Sequence, residues 1–482
     1  MAVTPTQPVG FRSERGQVLI ALMLATGLVA IDSTVIATAI PTVVGDLGGF
    51  AQFPWLFSVY LLAQAVTVPI YGKLADLFGR KPVILLGISL FLVGSILCGF
   101  AWSMLALIIF RAVQGLGGGA IQPMTITIAG DLYTLAERGK VQGYLASVWG
   151  ISAVVGPSLG GLFSEYLSWR WIFFINVPLC LVAAATLIRS LHERVARGRP
   201  RLDYVGAGLL ATGCTLLILG LLEGGVAWAW SSVTGIGVLA TGAALLVAFV
   251  LVERRAAEPV LPLWVFRRRI LVMSSLVSVT VGAVLLGLTS YVPTFVQTVV
   301  GTGPLVAGFA LATLTLGWPI SASQSSKLYL RIGFRATGLI GCALVVAGAV
   351  LMALLGEQTS VPTVGIACFV VGAGLGLAAG PTIIVAQASV GWSERGVVTA
   401  NNMFSRSIGS AIGVAIFGAI ANAALGGTHT APAIARASHH VFIAVAVAAV
   451  LMVVAMSALP RLGPEWTPAS GPAQDPLAAT AD

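Results

Sequence analysis

The chain has 482 residues, of which 57% are hydrophobic and 9% charged, and a formal net charge of +9. An ordinary soluble domain carries roughly 25% charged residues, so this composition excludes one and makes the lipid bilayer the solvent that matters. The positive charge would also suit nucleic acid, but its distribution, taken up below, assigns it to loops on one side of a membrane.

A membrane-spanning helix needs about 20 mostly apolar residues. Cutting the chain at its charged and Gly/Pro-rich breaks predicts fourteen such spans, near 17–41, 54–73, 82–101, 103–130, 140–165, 170–191, 204–223, 233–253, 270–299, 303–325, 336–355, 361–389, 396–425 and 440–460. Gly and Pro inside these runs are compatible with helices in lipid, where neighbouring helices re-satisfy the backbone. A β-barrel would instead alternate apolar and polar residues over segments of about ten, and no segment does. The expected fold class is an all-α polytopic membrane protein. Its expected parts are a tail (1–16), six spans (17–191), a linker (192–203), two further spans (204–253), a loop (254–269), six more spans (270–460) and a disordered tail (461–482).

The first span reads ATGLVAIDSTVIATAIP over 25–41 and holds one carboxylate, Asp32. It is too long for the apolar core of a cleaved signal peptide and is expected to remain as an anchor. A central aspartate costs about 2.5–3.5 kcal/mol on insertion scales. It should therefore face the protein interior or a water-filled cavity and mark an ion or substrate path. In span 2, Tyr60 and Gln64 are four apart and share a face. The stretch GKLADLFGRK follows over 72–81. There Gly72 and Gly79 permit tight turns, Asp76 and Arg80 can pair across one helical turn, and Lys73, Arg80 and Lys81 orient the chain.

Span 4 places Arg111, Gln114, Gly118 and Gln122 at spacings of 3, 4 and 4, which puts a polar stripe on one helical face inside the membrane. Gly115 and Gly119 form a small-xxx-small pair on an adjacent face. Arg111 can cap carbonyls of a neighbouring helix, or it can act with Asp32 in proton coupling, its approach and withdrawal toggling the carboxylate between ionised and protonated forms. In span 5, GISAVVGPSLGG contains Gly150, Gly156, Pro157, Gly160 and Gly161. Gly156 and Pro157 are expected to interrupt the backbone ladder, and the other glycines to leave flat surfaces, so that the segment bends or slides. Span 13 repeats the polar-face pattern with Asn402, Arg406, Gly409 and Gly413.

Trp149, Tyr291 and Gln297 join Tyr60, Gln64, Gln114, Gln122, Asn402 and Arg406 as candidates for lining a substrate cavity. Trp55 and Trp318 are equally well read as interfacial anchors. Spans 9 and 10 contain no acidic residue, which favours neutral or singly charged lipophilic substrates over dications.

With the N-terminus cytoplasmic, 22 of the 26 Lys and Arg fall on the cytoplasmic side, Arg170 and Arg436 fall outside, and Arg111 and Arg406 lie within spans. That positive-inside bias sets the expected orientation, with both termini cytoplasmic. The runs RVARGRPRLD (194–203) and FRRRI (266–270) can also touch anionic headgroups. Cys98, Cys180, Cys214, Cys342 and Cys368 sit in apolar segments without CxxC spacing and are expected to be packing residues. His192, His429, His439 and His440 form no metal-binding pattern.

The chain also resembles itself, and internal repeats are common in polytopic membrane proteins. GKLADLFGRKPVILLG (72–87) aligns with SKLYLRIGFRATGLIG (326–341), matching Lys73 to Lys327 and Gly79 to Gly333, while Asp76 becomes Leu330. RAVQGLGGG (111–119) and VVGAGLGLA (370–378) share a Gly-Leu-Gly core, and Arg111 becomes Val370.

GKLADLFGRK resembles the loop signature of the major facilitator superfamily. With AIDSTVIATAIP in span 1, RAVQGLGGGAIQP in span 4, GISAVVGPSLGG in span 5 and SWRWIFFINVP entering span 6, the chain is similar to the fourteen-helix drug:proton antiporters. The likeness is close over about the first 180 residues and lies more in layout than in wording beyond. It implies the major facilitator fold, with two six-helix halves plus two inserted helices. It also implies a latch, with Gly72, Asp76, Gly79, Arg80 and Lys81 holding the cytoplasmic faces together while the cavity opens outward, and a span 5 signature associated with exchange of substrate for protons. The resemblance further implies a bacterial inner-membrane location and no cofactor, the proton gradient being the driving force. Its partners would be small lipophilic substrates, protons and membrane lipids, with no nucleic acid and no obligatory protein partner. One departure is Leu77, where the family loop often has a basic residue.

The leading expectation is a proton-coupled exporter of lipophilic or cationic compounds working by alternating access. The alternatives are an exporter of an endogenous lipid, metabolite or antibiotic on the same scaffold and, from another class, a membrane-embedded enzyme or receptor. No GxxxxGK[ST] phosphate loop occurs, and the glycine clusters do not follow strands, which argues against ATP-driven transport and dinucleotide binding. The span interiors offer one deep acid, two arginines and no histidine, a poor set for catalysis, so no enzymatic activity is expected.

Overall fold

A computed structural model describes residues 15–48, 55–193, 203–225, 228–256, 258–356, 359–425 and 430–462, together with Gly10, Phe11, Ser13 and Gln52. Most of the N-terminal tail, the basic run 194–202, His429 and the tail from 463 lie outside the described residues.

The first half of the chain folds into α1 (Gly16–Leu47), α2 (Trp55–Phe78), α3 (Arg80–Gly99), α4 (Met104–Leu132), α5 (Leu135–Tyr166), α6 (Trp171–Phe174) and α7 (Asn176–Ser190). Then come α8 (Tyr204–Glu223) and α9 (Val233–Glu253). The second half is α10 (Arg269–Thr298), α11 (Pro304–Ile332), α12 (Phe334–Ala353), α13 (Val361–Ala388), α14 (Arg395–Leu425) and α15 (Ala431–Ser457). The short α6 and α7 share one span, so the described residues contain 14 helical segments long and apolar enough to cross a bilayer. Helices are what lipid demands, because each satisfies its own backbone. Four helix starts are closed by side chains: Ser103, Asp203 and Ser232 accept backbone N–H groups at the starts of α4, α8 and α9, and Thr134 with Glu137 forms a capping box on α5.

Several helices outrun their expected spans. α2 reaches Phe78, α5 begins at Leu135, α11 reaches Ile332 and α15 begins at Ala431, because a charge at the lipid–water boundary need not end a helix. This corrects the reading of 72–81 as a loop. Residues 72–78 continue α2, and the only break before α3 is Gly79, with φ of 96°. Gly333 makes the equivalent break between α11 and α12 at φ of 86°.

Each half has its own apolar core. The halves meet along two seams, α2 against α14 and α5 against α11, while α8 and α9 pack on each other and α8 also covers α2 and α14. All five cysteines are buried and unpaired. The even number of spans among the described residues puts the start of α1 and the end of α15 on one face, here termed the basic face. On the opposite face Asp46 accepts hydrogen bonds from Arg170 (2.7 Å) and Trp169 (3.0 Å), which hold its carboxyl below the ordinary carboxylate range.

Small residues set the helix spacing. A Cβ added at Gly117 of α4 would lie 2.4 Å from the backbone nitrogen of Phe91 and 2.5 Å from the carbonyl oxygen of Gly87, both on α3, whereas Gly237 of α9 has nothing within 4 Å. Gly117→Leu should therefore destabilise the protein by about 1–3 kcal/mol or more, as overpacking does, while Gly237→Leu is tolerated. Thermal unfolding of the two purified variants in detergent checks this, and equal melting would refute the packing argument.

Candidate functional site

The mid-membrane charge sits where five helices of the first half converge. Asp32, on α1, is 1% exposed. One carboxylate oxygen receives Arg111 Nη1 of α4 at 2.6 Å, and the other receives the amides of Gln114 at 2.7 Å and Asn176 of α7 at 3.3 Å. Arg111 also donates to the Gln114 side-chain oxygen at 2.7 Å and to the Leu56 carbonyl of α2 at 3.2 Å, and its guanidinium lies 4.2 Å from the Tyr60 ring centre. Ser95 of α3 accepts from Gln114 at 2.9 Å and from Asn176 at 3.4 Å. The result is a closed polar network in an apolar surround, where charge-assisted hydrogen bonds and a cation–π contact replace lost hydration.

A second cluster joins the two halves at the basic face. Asp76 of α2 accepts the backbone N–H groups of Gly396 (2.9 Å) and Val397 (2.8 Å), placing a carboxylate on the N-terminus of α14, where the helix dipole favours an anion. Arg80 contacts Asp76 at 3.2 Å and Asp131 at 3.0 Å, donates to the Trp392 carbonyl and lies 3.7 Å from the Trp392 ring centre. Asp131 of α4 takes Arg395 of α14 on its other oxygen at 2.7 Å. Glu193 accepts the backbone N–H groups of Arg80 and Lys81, both at 2.8 Å, and Lys81 donates onward to the Ile188 carbonyl. This clasp needs close backbones. A Cβ at Gly72 would lie 2.3 Å from that of Ala400, so Gly72 serves helix approach rather than the expected turn.

The other expected positions divide. Gly115 and Gly119 face the backbone of α2, and Gly118 lies near Tyr60 and Gln64. The span 4 stripe thus faces its own half: Gln114 and Tyr60 are buried in the Asp32 network rather than lining open space, while Gln64 and Gln122 are half-buried. Trp149 and Tyr291, expected at the cavity, pack against the cores of their own halves, and Gln297 is exposed in the last turn of α10. Asn402 is buried and donates to Ser274 of α10, with Gly409 and Gly413 packed against the same helix, so this face holds α10 instead of facing a cavity. Arg406, on that face, is half-buried. On α5 the helix runs unbroken through Pro157. Gly156 and Gly160 lie against Thr34 and Thr38 of α1, and Gly150 approaches Thr315 of the other half. Gly161, expected to form a packing surface, has nothing within 4 Å.

Sequence reasoning missed Asp131, Glu193, Asn176 and Arg395. One signal was available: Glu-Arg-Gly occurs at 137–139 and again at 394–396. Both copies sit at helix starts beside the clasp, Glu137 pairing with Arg15 at 2.8 Å and Arg395 with Asp131.

Comparison with known proteins agrees with this architecture. A sequence model of the Major Facilitator Superfamily matches residues 22–414. The chain is 35% identical over 417 residues to Multidrug transporter protein MdtP of Bacillus subtilis, covering 86% of this chain and 77% of that one. It is 36% identical over 406 residues to Multidrug resistance protein 3 of the same organism, covering 84% and 79%. It is 32% identical over 404 residues to Efflux pump dotC of Dothistroma septosporum, covering 82% and 70%. The crystal structure of the human organic anion transporter MFSD10 (TETRAN) superposes with a TM-score of 0.67 at 15% identity, covering 94% of this chain and all of that one, a likeness of fold.

Asp131→Ala would leave two buried guanidinium groups without their shared anion, and breaking such a pair costs about 3–5 kcal/mol. Glu258→Gln, which removes the half-exposed partner of Lys73, should cost about 1 kcal/mol or less. Thermal unfolding in detergent orders the two variants, and a milder effect at Asp131 would contradict the burial argument.

Proposed function

Because the chain belongs to the Major Facilitator Superfamily of transporters, we propose that it is a proton-coupled exporter of lipophilic or cationic small molecules. The names of its relatives, two multidrug proteins and an efflux pump, support the direction and the breadth of substrate. The observation that carries the coupling is the Asp32–Arg111 pair, a carboxylate at mid-membrane depth whose counter-ion sits on a different helix. The location we assign is a bacterial inner membrane, with the basic face cytoplasmic.

In the described arrangement the hydrogen bonds and ion pairs of the clasp hold the halves together at the basic face, the state that in our reading favours access from the other side. A proton taken up by Asp32 neutralises the carboxylate. Arg111 then keeps its charge against the Gln114 oxygen, the Leu56 carbonyl and the Tyr60 ring. Loss of the ion pair frees α1 from α4, and opening of the clasp exposes the site to the cytoplasm. There the proton leaves, and substrate entry favours its departure. Asp76 contributes by completing the clasp, which biases the equilibrium between the two openings.

Asp32→Asn cannot carry the proton. It should abolish efflux driven by a pH gradient in inverted vesicles and eliminate proton release when substrate is added to purified protein, while a neutral ligand still binds. Asp32→Glu should keep part of the activity with a shifted pH dependence. Proton release by Asp32→Asn equal to wild type would place the coupling site elsewhere. Asp76→Asn removes a carboxylate worth about 1 kcal/mol at a helix N-terminus, so efflux should fall while surface expression and binding persist. Wild-type efflux in that variant would leave Asp76 without a gating role.

A further inference from the structure

The α5–α11 seam carries a cleft of about 890 Å³, and the exposed apolar side chains along it fit a surface that faces lipid. Its α5 wall includes Ile151 and Val154, and its α11 wall Leu316 and Ile320, all between 49% and 60% exposed. At the end toward the basic face it is lined by Lys140, Gln324 and Lys327. These three side chains make no hydrogen bond or ion pair among the described residues. An adjoining cleft shares Gln324 and Lys327 and adds Arg331.

The depths fit one leaflet. About 20 residues of helix cross the hydrocarbon core; centred on α5 and α11, that core begins close to Lys140 and ends close to Lys327. The lysines therefore sit at headgroup level, and the apolar walls run from there to the midplane. A second observation concerns the repeat. Lys73, the counterpart of Lys327, receives its anion from the protein, pairing with Glu258 at 2.7 Å on the other seam. Among the described residues Lys327 has no such acid in an ion pair with it, and between Glu258 and Glu394 the sequence contains a single acidic residue, Glu357.

We propose that this cleft binds an anionic glycerophospholipid from the leaflet at the basic face. Its phosphate sits between Lys140 and Lys327, within reach of the Gln324 amide, and an acyl chain lies along Ile151, Val154, Leu316 and Ile320. Because the two lysines belong to different halves, the headgroup bridges them. The lipid binds the arrangement in which the halves are joined at this face and so shifts the conformational equilibrium toward it.

The test is native mass spectrometry of the full chain in detergent, with phosphatidylglycerol, phosphatidylcholine and soluble glycerol 3-phosphate as separate probes. Wild type should retain one phosphatidylglycerol and neither of the other probes. Lys140→Gln/Lys327→Gln should lower retention by about tenfold or more, each lysine contributing severalfold near a charged headgroup, while Lys140→Arg/Lys327→Arg retains the lipid. If the glutamine variant does not fold, Ile320→Trp, which fills the apolar wall from an exposed position, is read in the same way. Equal retention of phosphatidylglycerol by the glutamine or tryptophan variant, or of phosphatidylcholine by wild type, overturns the proposal; so does binding of glycerol 3-phosphate alone. The readout does not depend on transport, so it stands or falls separately from the exporter reading.

Discussion

A charge inside hydrocarbon has to bring its partners with it, and that constraint organises this molecule. Asp32 cannot be solvated by lipid, so α2, α3, α4 and α7 each send a group toward it: an arginine and an amide from α4, an amide from α7, a hydroxyl from α3, and a carbonyl and a ring from α2. The network fixes the rotation of each helix about its own axis, since turning any of them would withdraw a donor or an acceptor from a site that water cannot repair. The same constraint governs the clasp, where Asp131 stands between two arginines and Asp76 between an arginine and a helix N-terminus.

Such networks form only if the backbones come close, and glycine sets that distance. Gly72 and Gly396 let α2 and α14 approach until a carboxylate on one reaches the first N–H groups of the other. Gly94 and Gly117 do the same for α3 and α4, bringing Ser95 and Gln114 within bonding range. Polar chemistry and small-residue packing are thus two parts of one design: the glycines supply proximity, and the charges supply direction.

The fold could be read from the sequence because it follows from a single strong signal, apolar length, interrupted at charges. What composition could not supply was the behaviour of helices beyond the lipid, so 72–78 read as a loop although Gly79 alone breaks the chain there. At the candidate site, Asp32 and Arg111 stood out because each is costly where it lies. Their amide partner Asn176 did not, since one asparagine at a span entry carries little signal. Asp131 was hidden in the same way, as an acid at a helix end that looked like a boundary residue. Helical spacing correctly grouped Arg111, Gln114 and Gly118 on one face, but periodicity alone does not say whether that face meets a cavity or another helix. The face with Asn402 and Gly409 meets α10.

The inserted pair α8 and α9 gives the molecule a handedness in the plane of the membrane. Two halves related by a pseudo-twofold axis would present the bilayer with two equivalent seams, and here α8 lies against the one between α2 and α14. The two seams are therefore unequal toward the bilayer: the one between α2 and α14 is covered by a further helix, and the one between α5 and α11 keeps an open cleft.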